Sequence, residues 1–210
     1  MAYRPTEKTE AKKRAQLKKL SDAAFAIVCE QGFSQLTIAS VAERAEVATG
    51  TIYKYFQDKS ELCTHVFRRG SGREVEVVRQ TAFPDPDVST QESCKERLCG
   101  AIQSFSERAI AGRTLAYALL AEPIDTQVEN ERLLYRRAYA EVFEGLIQEG
   151  ISKKEFIDQD ARVAATAIVG ALSETLVNSL EQSKELNTET AQELVQSIVQ
   201  FSLRAVGSNA

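Results

Sequence analysis

The stretch Thr37–Leu62, TIASVAERAEVATGTIYKYFQDKSEL, decides how this chain is read. Thr37 is a residue of the N-capping type, and Ile38 to about Ala45 has the spacing of a short helix. Glu46-Val47-Ala48 makes a turn, and Thr49 to about Tyr55 forms a second helix too short to stand alone. Ile52 and Phe56 are four residues apart and share a face that points into a core. Thr49 with Tyr53, and Gly50 with Lys54, have the same spacing and project from the other side. Two short helices joined by a tight turn fit a helix-turn-helix, and they also fit an ordinary helical hairpin whose polar face meets water. In the first case Gly50 admits close backbone approach, Thr49 reaches a base edge or a phosphate, and Tyr53 and Lys54 reach phosphates. The amides beside Thr37 then offer a phosphate site.

The flanking sequence is helical throughout. Glu10–Gln31 carries Leu17, Leu20, Ala24, Ile27 and Val28 on one face, widened by Phe25, and Gly32 supplies a left-handed cap with Phe33 folding back. Asp58 with Glu61 forms a capping box opening a helix from Lys59 to about Thr81, in which Gly70 and Gly72 mark a point of bending. Phe83-Pro84-Asp85-Pro86 breaks it. Ser89 with Glu92 opens the next helix, which ends near Gly112. A short one covers Thr114 to Ala121. Thr126 with Glu129 opens another that Gly150 closes after Glu149. Asp160–Glu181 and Glu189–Val206 complete an all-α fold of about nine helices. No stretch alternates like a strand.

Composition narrows the class. The chain has 210 residues, 43% hydrophobic and 27% charged, with four prolines and ten glycines, which suits one or two helical domains with a real core. The net charge of −4 is unevenly spread. Residues 1–70 hold twelve basic and eight acidic side chains, a balance of +4, and the other 140 hold fourteen and twenty-two, a balance of −8. A basic end on an acidic body suits a polyanion-contacting head, and it also fits a plain solvated gradient. Cys29, Cys63, Cys94 and Cys99 show no C-x-x-C spacing and His65 is the only histidine, so neither a metal nor a cofactor is expected and the thiols are read as reduced. With no nucleophile–base pattern, no enzyme is expected. Neither a targeting segment nor a bilayer-spanning run is recognised, which leads to the expectation of a cytoplasmic protein without a membrane partner.

The Thr37–Leu62 stretch resembles the DNA-binding head of the TetR family. That pattern runs threonine, an isoleucine–alanine helix, a turn ending in valine, then glycine–threonine–leucine–tyrosine, phenylalanine and lysine. It is matched here by Thr37, Val41-Ala42, Val47, Gly50-Thr51-Ile52-Tyr53, Phe56 and Lys59. The family usually has glycine where Glu46 stands and often serine where Ala48 stands, so Thr49 is expected to cap the second helix in place of Ala48. The resemblance implies DNA contacts from Thr37, Thr49, Gly50, Tyr53, Lys54, Tyr55 and Lys59. Lys8, Lys12 and Lys13 add at most loose phosphate contacts and otherwise form a solvated basic face.

The resemblance is firm over residues 11–65 and holds beyond them only in pattern. It implies a three-helix head and arm at 1–58 and an effector-binding, dimerising helical domain at 59–210. It further implies a homodimer that represses from a palindromic double-stranded operator and is released by a small-molecule effector. Phe105, Tyr117, Leu120, Tyr135, Tyr139 and Phe143 are the expected lining of the effector site, although an aromatic stripe of this kind also serves as plain core. The last two helices are the expected dimer interface, through Ala164, Ile168, Ala171 and Thr175 on one and Leu194, Ile198 and Phe201 on the other. The last helix is apolar on two faces and so needs two partners. His65, near the junction of head and body, is read as structural.

Overall fold

Helix α1 (Glu7–Gln31) places Glu7 and Glu10 in its first turn, at the positive end of its dipole, and buries only its C-terminal half through Leu20, Ala23, Ala24, Ile27 and Val28. Lys8, Lys12 and Lys13 lie exposed on the other half. Gly32 follows at φ 79°, ψ −179°. This is a positive-φ conformation that essentially only glycine adopts, and it differs from the left-handed helical cap expected. It turns the chain into a 3-10 turn (Phe33–Gln35) that buries Phe33.

The computed structural model describes residues 7–85, 92–181 and 187–207. Among these it contains nine α-helices and no strand. After α1 come α2 (Ile38–Arg44), α3 (Thr49–Ile52), α4 (Lys59–Ala82), α5 (Cys94–Ala111), α6 (Arg113–Leu120), α7 (Thr126–Ser152), α8 (Ala161–Glu181) and α9 (Thr188–Ala205). Helices α1–α3 and the first half of α4 enclose one hydrophobic core, which also takes in Ala118, Leu119 and Val128 from α6 and α7. The second core runs from Val75 on α4 through α5, α7 and α8 to Val206. The two cores thus divide within α4, between Phe67 and Val75.

Helix α4 runs unbroken through Gly70 and Gly72. Gly70 serves close approach: a β-carbon there would lie 3.2 Å from Leu119 and 3.4 Å from Phe25. At Gly72 the neighbour is the Tyr135 phenol.

Several helix ends differ from the sequence reading. Ser89 lies outside the described residues. The capping box at α5 is Ser93 with Glu96, one turn later, because Cys94 and Leu98 must both reach the core. Asp125 rather than Thr126 caps α7, accepting from the amides of Gln127 and Val128. Helix α7 continues past Gly150 to Ser152, since that glycine makes room for the Phe156 ring, and the left-handed residue after the helix is Lys154 at φ 62°. Helix α8 is long and apolar enough, by length and composition, to cross a membrane, contrary to the expectation that no run is. Its position explains that composition: Ala164, Ala165, Ile168, Leu172 and Leu176 are buried in the second core.

Buried charge is paired. Arg97 donates to Glu149 at 2.5 Å and to the Ala82 carbonyl at 3.2 Å, tying α5 to α7 and to the end of α4. Hydrogen bonds from Arg97 and Lys153 pull the Glu149 carboxyl down to about 2.

Candidate nucleic-acid interface and ligand cavity

Thr37 caps α2 with its hydroxyl on the Ser40 amide, while the Ser40 hydroxyl accepts from the Thr37 amide. The turn after α2 places Glu46 at φ 51°, a left-handed conformation that costs an L-residue with a β-carbon roughly 1 kcal/mol. That strain gives a physical reason for glycine at this place in the TetR pattern. Ala48 keeps the N-cap position of α3 with no side-chain bond, so the helix starts at Thr49 without the shift that Thr49 capping would bring. Helix α3 ends at Ile52, earlier than the expected Tyr55, and the chain turns through Tyr53–Tyr55. Ile52 and Phe56 are buried, and at roughly 1.5–3 kcal/mol each they hold this short helix in place.

Around that anchor Thr49, Gly50, Tyr53, Lys54 and Lys59 are exposed together, with Thr37 on the neighbouring helix start. Open space surrounds Gly50, and Tyr53 is 56% exposed. Neither Lys54 nor Lys59 is in an ion pair among the described residues, and this leaves both cations for an outside anion. Tyr55 differs: it is half-buried and packed against the first core. His65 sits beneath, its Nε2 2.9 Å from the Ser21 hydroxyl and its ring edge-on to Phe56. Burial and the adjacent Arg69 and Arg68 hold it below its usual pKa, in keeping with a structural role.

Glu46→Gly should leave stability within about 0.5 kcal/mol, because relief of the left-handed strain offsets glycine's greater freedom when unfolded. It also removes a carboxylate from the interface turn, so DNA affinity should rise by about threefold at low salt. Thermal melting and a DNA titration check both halves. Unchanged affinity would mean that the carboxylate does not face the duplex.

Two adjoining cavities lie between the helices of the body, the outer one also lying against α1 of the head. The outer, of about 260 Å³, is bordered by Phe25, Cys29, Arg73, Glu74, Arg108 and Leu115 among others. The inner, of about 40 Å³, is bordered by Phe67, Ser71, Arg132, Tyr135, Phe143 and Leu172 among others. Phe105, Leu119, Leu120 and Tyr139 border both and form the partition. Five of the six aromatic and aliphatic residues expected from sequence are therefore at the cavities: Phe105, Leu120, Tyr135, Tyr139 and Phe143. Tyr117 is not. It faces a separate depression with Gly32, Arg113 and Glu122, because α6 turns its other side inward.

The polar groups are few and placed. Phe105 meets Tyr139 edge-on at 5.2 Å between ring centres. Burial drives the Tyr139 phenol well above its usual pKa, and its hydroxyl forms no hydrogen bond among the described residues. The Tyr135 hydroxyl donates to the Arg68 carbonyl at 3.1 Å. At the outer rim Arg108 makes a two-bond pair with Glu74, 2.7 Å each, while Arg73 is exposed and in no ion pair among the described residues.

Arg132 carried no signal in the sequence. It is buried, donates from Nε to the Leu119 carbonyl at 3.0 Å and from Nη2 to the Glu122 carbonyl at 2.7 Å, and pairs with Glu129. Its guanidinium lies over the Phe67 ring, 5.7 Å from the centre. Glu122 was also missed. Its carboxylate accepts from the amides of Phe33 and Ser34, at 2.8 Å each. Both arrangements depend on carbonyls and amides of distant chain segments, which no local pattern reveals.

Comparison with known proteins identifies the whole. Residues 20–66 match the family described as bacterial regulatory proteins, tetR family, and residues 91–177 match the tetracyclin repressor-like C-terminal domain. The chain belongs to the TetR family. It is accordingly a DNA-binding transcriptional regulator. Among the relatives of this TetR-family chain is the fatty acid metabolism regulator protein of Bacillus subtilis, 26% identical over 167 residues, 78% of this chain and 83% of that one. The transcriptional repressor KstR of Mycolicibacterium smegmatis is 39% identical over 65 residues, 31% of this chain and 30% of its own. The solved fatty acid degradation regulator FadR of Bacillus halodurans superposes with a TM-score of 0.73 at 25% identity, covering 90% of this chain and 94% of that one. FadR of Bacillus subtilis, solved in complex with stearoyl-CoA, gives 0.70 at 23% identity, covering 92% and 100%.

Proposed function

We propose that this TetR-family chain is a homodimeric repressor, released from a two-fold operator by a molecule with a long apolar chain and an anionic head, of the acyl-CoA class. The observation that carries the effector class is the cavity pair: an apolar interior with Arg73 and Arg108 at its outer rim. The apolar chain would lie past Phe105 and Tyr139, with its carbonyl oxygen within reach of the Tyr139 hydroxyl. The anionic head would meet the arginines. The cavities together are at the low end of ligand-site volumes, so a long chain must displace the partition residues. Leu119 is one of these, and it also packs in the first core. An occupant that fits only the displaced arrangement favours a body conformation that spaces the two heads badly for successive major grooves. The Bacillus subtilis neighbour solved with stearoyl-CoA supports the same class. Residues 1–58 serve as the DNA-reading part and 59–210 as the effector and dimer part, acting in the cytoplasm where the operator lies.

The structure bears on which surfaces can form the dimer. Ala164, Ile168 and Ile198 are buried in the chain's own core. Ala171, Thr175 and Leu194 are half-buried, and Phe201 is 51% exposed. Ile198 and Phe201 are three residues apart, about 60° short of a full turn, which suffices to put one inward and the other outward. On α8 the open face is Val163, Ala167 and Gly170, and a β-carbon on Gly170 would meet nothing. These exposures support a dimer contact on this face, with Ala171, on α8 and on Leu194 and Phe201 of α9. Small residues there let a second copy approach closely, as a two-fold contact requires.

The test is to recover genomic fragments retained by the full-length protein and then titrate the complex with stearoyl-CoA, using stearate and CoA alone as controls. Release by the thioester at micromolar concentration is expected. A duplex complex indifferent to all three would overturn the effector class. Lys54→Ala should lower operator affinity and reduce the slope of log affinity against log salt by about one unit, as the loss of one phosphate contact does. An unchanged slope would remove Lys54 from the interface.

A further inference from the structure

We propose that Glu122 is a positioning residue for operator binding. Its carboxylate clasps the DNA-reading head to the body, and Arg132 in the inner cavity wall governs whether the clasp closes. The second half of this proposal rests on the effector reading above.

The clasp is a defined arrangement. Both carboxylate oxygens of Glu122 are engaged, one by the Phe33 amide and one by the Ser34 amide, each at 2.8 Å. Bonds from amides to an ionised carboxylate are about twice as strong as neutral ones. The residue before them is Gly32, where a β-carbon would sit 2.8 Å from Glu122 Oε2. Positive φ and the incoming carboxylate therefore both call for glycine at this point. Leu36, two residues after Ser34, is fully buried, and Thr37 then caps α2, so the clasped amides are fixed to the first helix of the helix-turn-helix.

On the other side, the backbone carbonyl of Glu122 itself accepts from Arg132 Nη2 at 2.7 Å. The same guanidinium holds the carbonyls of Leu119 and Ala118, at 3.0 and 3.4 Å. Arg132 therefore braces the end of α6 and the residues after it from inside, and it borders the inner cavity together with Leu119 and Leu120. An apolar chain entering that cavity must push aside partition residues, of which Leu119 and Leu120, beside Arg132, are the ones that yield. Displacing either moves the carbonyls that Arg132 holds, and Glu122 with them. The carboxylate then withdraws from Phe33 and Ser34, and the head loses its seat on the body. The coupling is thus carried by an element with two arrangements, engaged and withdrawn, that both sites bias.

The test uses the full-length protein with Glu122→Gln, Glu122→Ala and Arg132→Met, and with Arg132→Lys where methionine prevents folding. Three readouts are needed: the amide resonances of Phe33 and Ser34, operator affinity, and stearoyl-CoA affinity with and without operator. Both Glu122 variants should move the two resonances upfield. They should also lower operator affinity by about tenfold, while stearoyl-CoA affinity of DNA-free protein should rise, because the ligand no longer has to break the clasp. The ratio of stearoyl-CoA affinities without and with operator, well above one in the wild type, should fall towards one. Unchanged operator affinity and an unchanged ratio, in variants whose amide resonances have moved, would overturn the clasp. If stearoyl-CoA fails to bind the wild type, the effector class is wrong and the clasp is judged without ligand. The Arg132 variants should still shift the Phe33 and Ser34 amides and alter operator affinity in the same direction as Glu122→Ala. Amides that ignore Arg132 would break the link between cavity wall and head.

Discussion

Phe201→Glu should leave the chain folded, make it monomeric and lower operator affinity by about a hundredfold or more, because one head then grips one half-site without the avidity of two. Phe201 is 51% exposed on α9, so the single chain accommodates the change at little cost. Within a dimer the same carboxylate would be buried without a partner, which costs several kcal/mol. Ile198→Glu is the informative contrast. Ile198 is buried in the second core, so that variant should unfold or aggregate rather than dissociate cleanly. Sedimentation gives the mass and a duplex titration gives the affinity. A Phe201→Glu protein that sediments as a dimer would place the assembly face elsewhere.

Gly150→Ala should destabilise the chain by about 1–3 kcal/mol, overpacking being only partly offset by alanine's better helix propensity. For a domain of this size that lowers the melting temperature by roughly 3–10 °C. A β-carbon at Gly150 would lie 2.2 Å from Phe156 Cδ2 and 3.0 Å from its Cγ, so the clash reaches the root of the ring. The ring has little room to retreat. The Glu155 and Phe156 amides both donate to the Gly150 carbonyl, at 2.9 and 3.2 Å. The next amide, of Ile157, donates to the Val206 carbonyl after α9. Disturbing this turn therefore also disturbs the end of a helix proposed for the dimer contact, and the variant should dissociate at lower dilution than the wild type. Adding Phe156→Leu should recover part of the lost stability. An unchanged melting temperature in Gly150→Ala would show that the turn yields freely.

What sequence could and could not foresee follows the range of the forces. Thr37 and Asp58 cap their helices through residues three positions on, and Ile52 and Phe56 share a face by their four-residue spacing, so all four positions follow from local spacing. Ser89 and Ser93 each precede a glutamate by three residues, so both satisfy the capping pattern. Seating Cys94 and Leu98 in the core selects Ser93, and that is a tertiary decision. Gly150 has the look of a helix end, yet its purpose is set by Phe156 on the next turn. The cavity aromatics were legible because Tyr135, Tyr139 and Phe143 recur every four residues on α7. Tyr117 was misplaced because a short helix such as α6 gives too few turns to fix which side faces in. Arg132, Glu122 and Leu119 were invisible for a plainer reason: each acts on backbone or side chains far away along the chain.

The division of the two cores within α4 bears on how separable this regulator is. A fragment cut at residue 58 would lose Leu62, Cys63, Val66 and Phe67, all buried in the first core. It would also bare the surface that Ala118, Leu119 and Val128 cover. The DNA reader is thus not a cassette that can be lifted out at its apparent border. A chimera that keeps its operator preference must carry the first three turns of α4, and its new body must offer small and branched residues where α6 and the start of α7 now stand. Specificity for DNA and fit to the body are inherited together, so an exchange of heads between relatives succeeds only when the surface beneath them is exchanged as well.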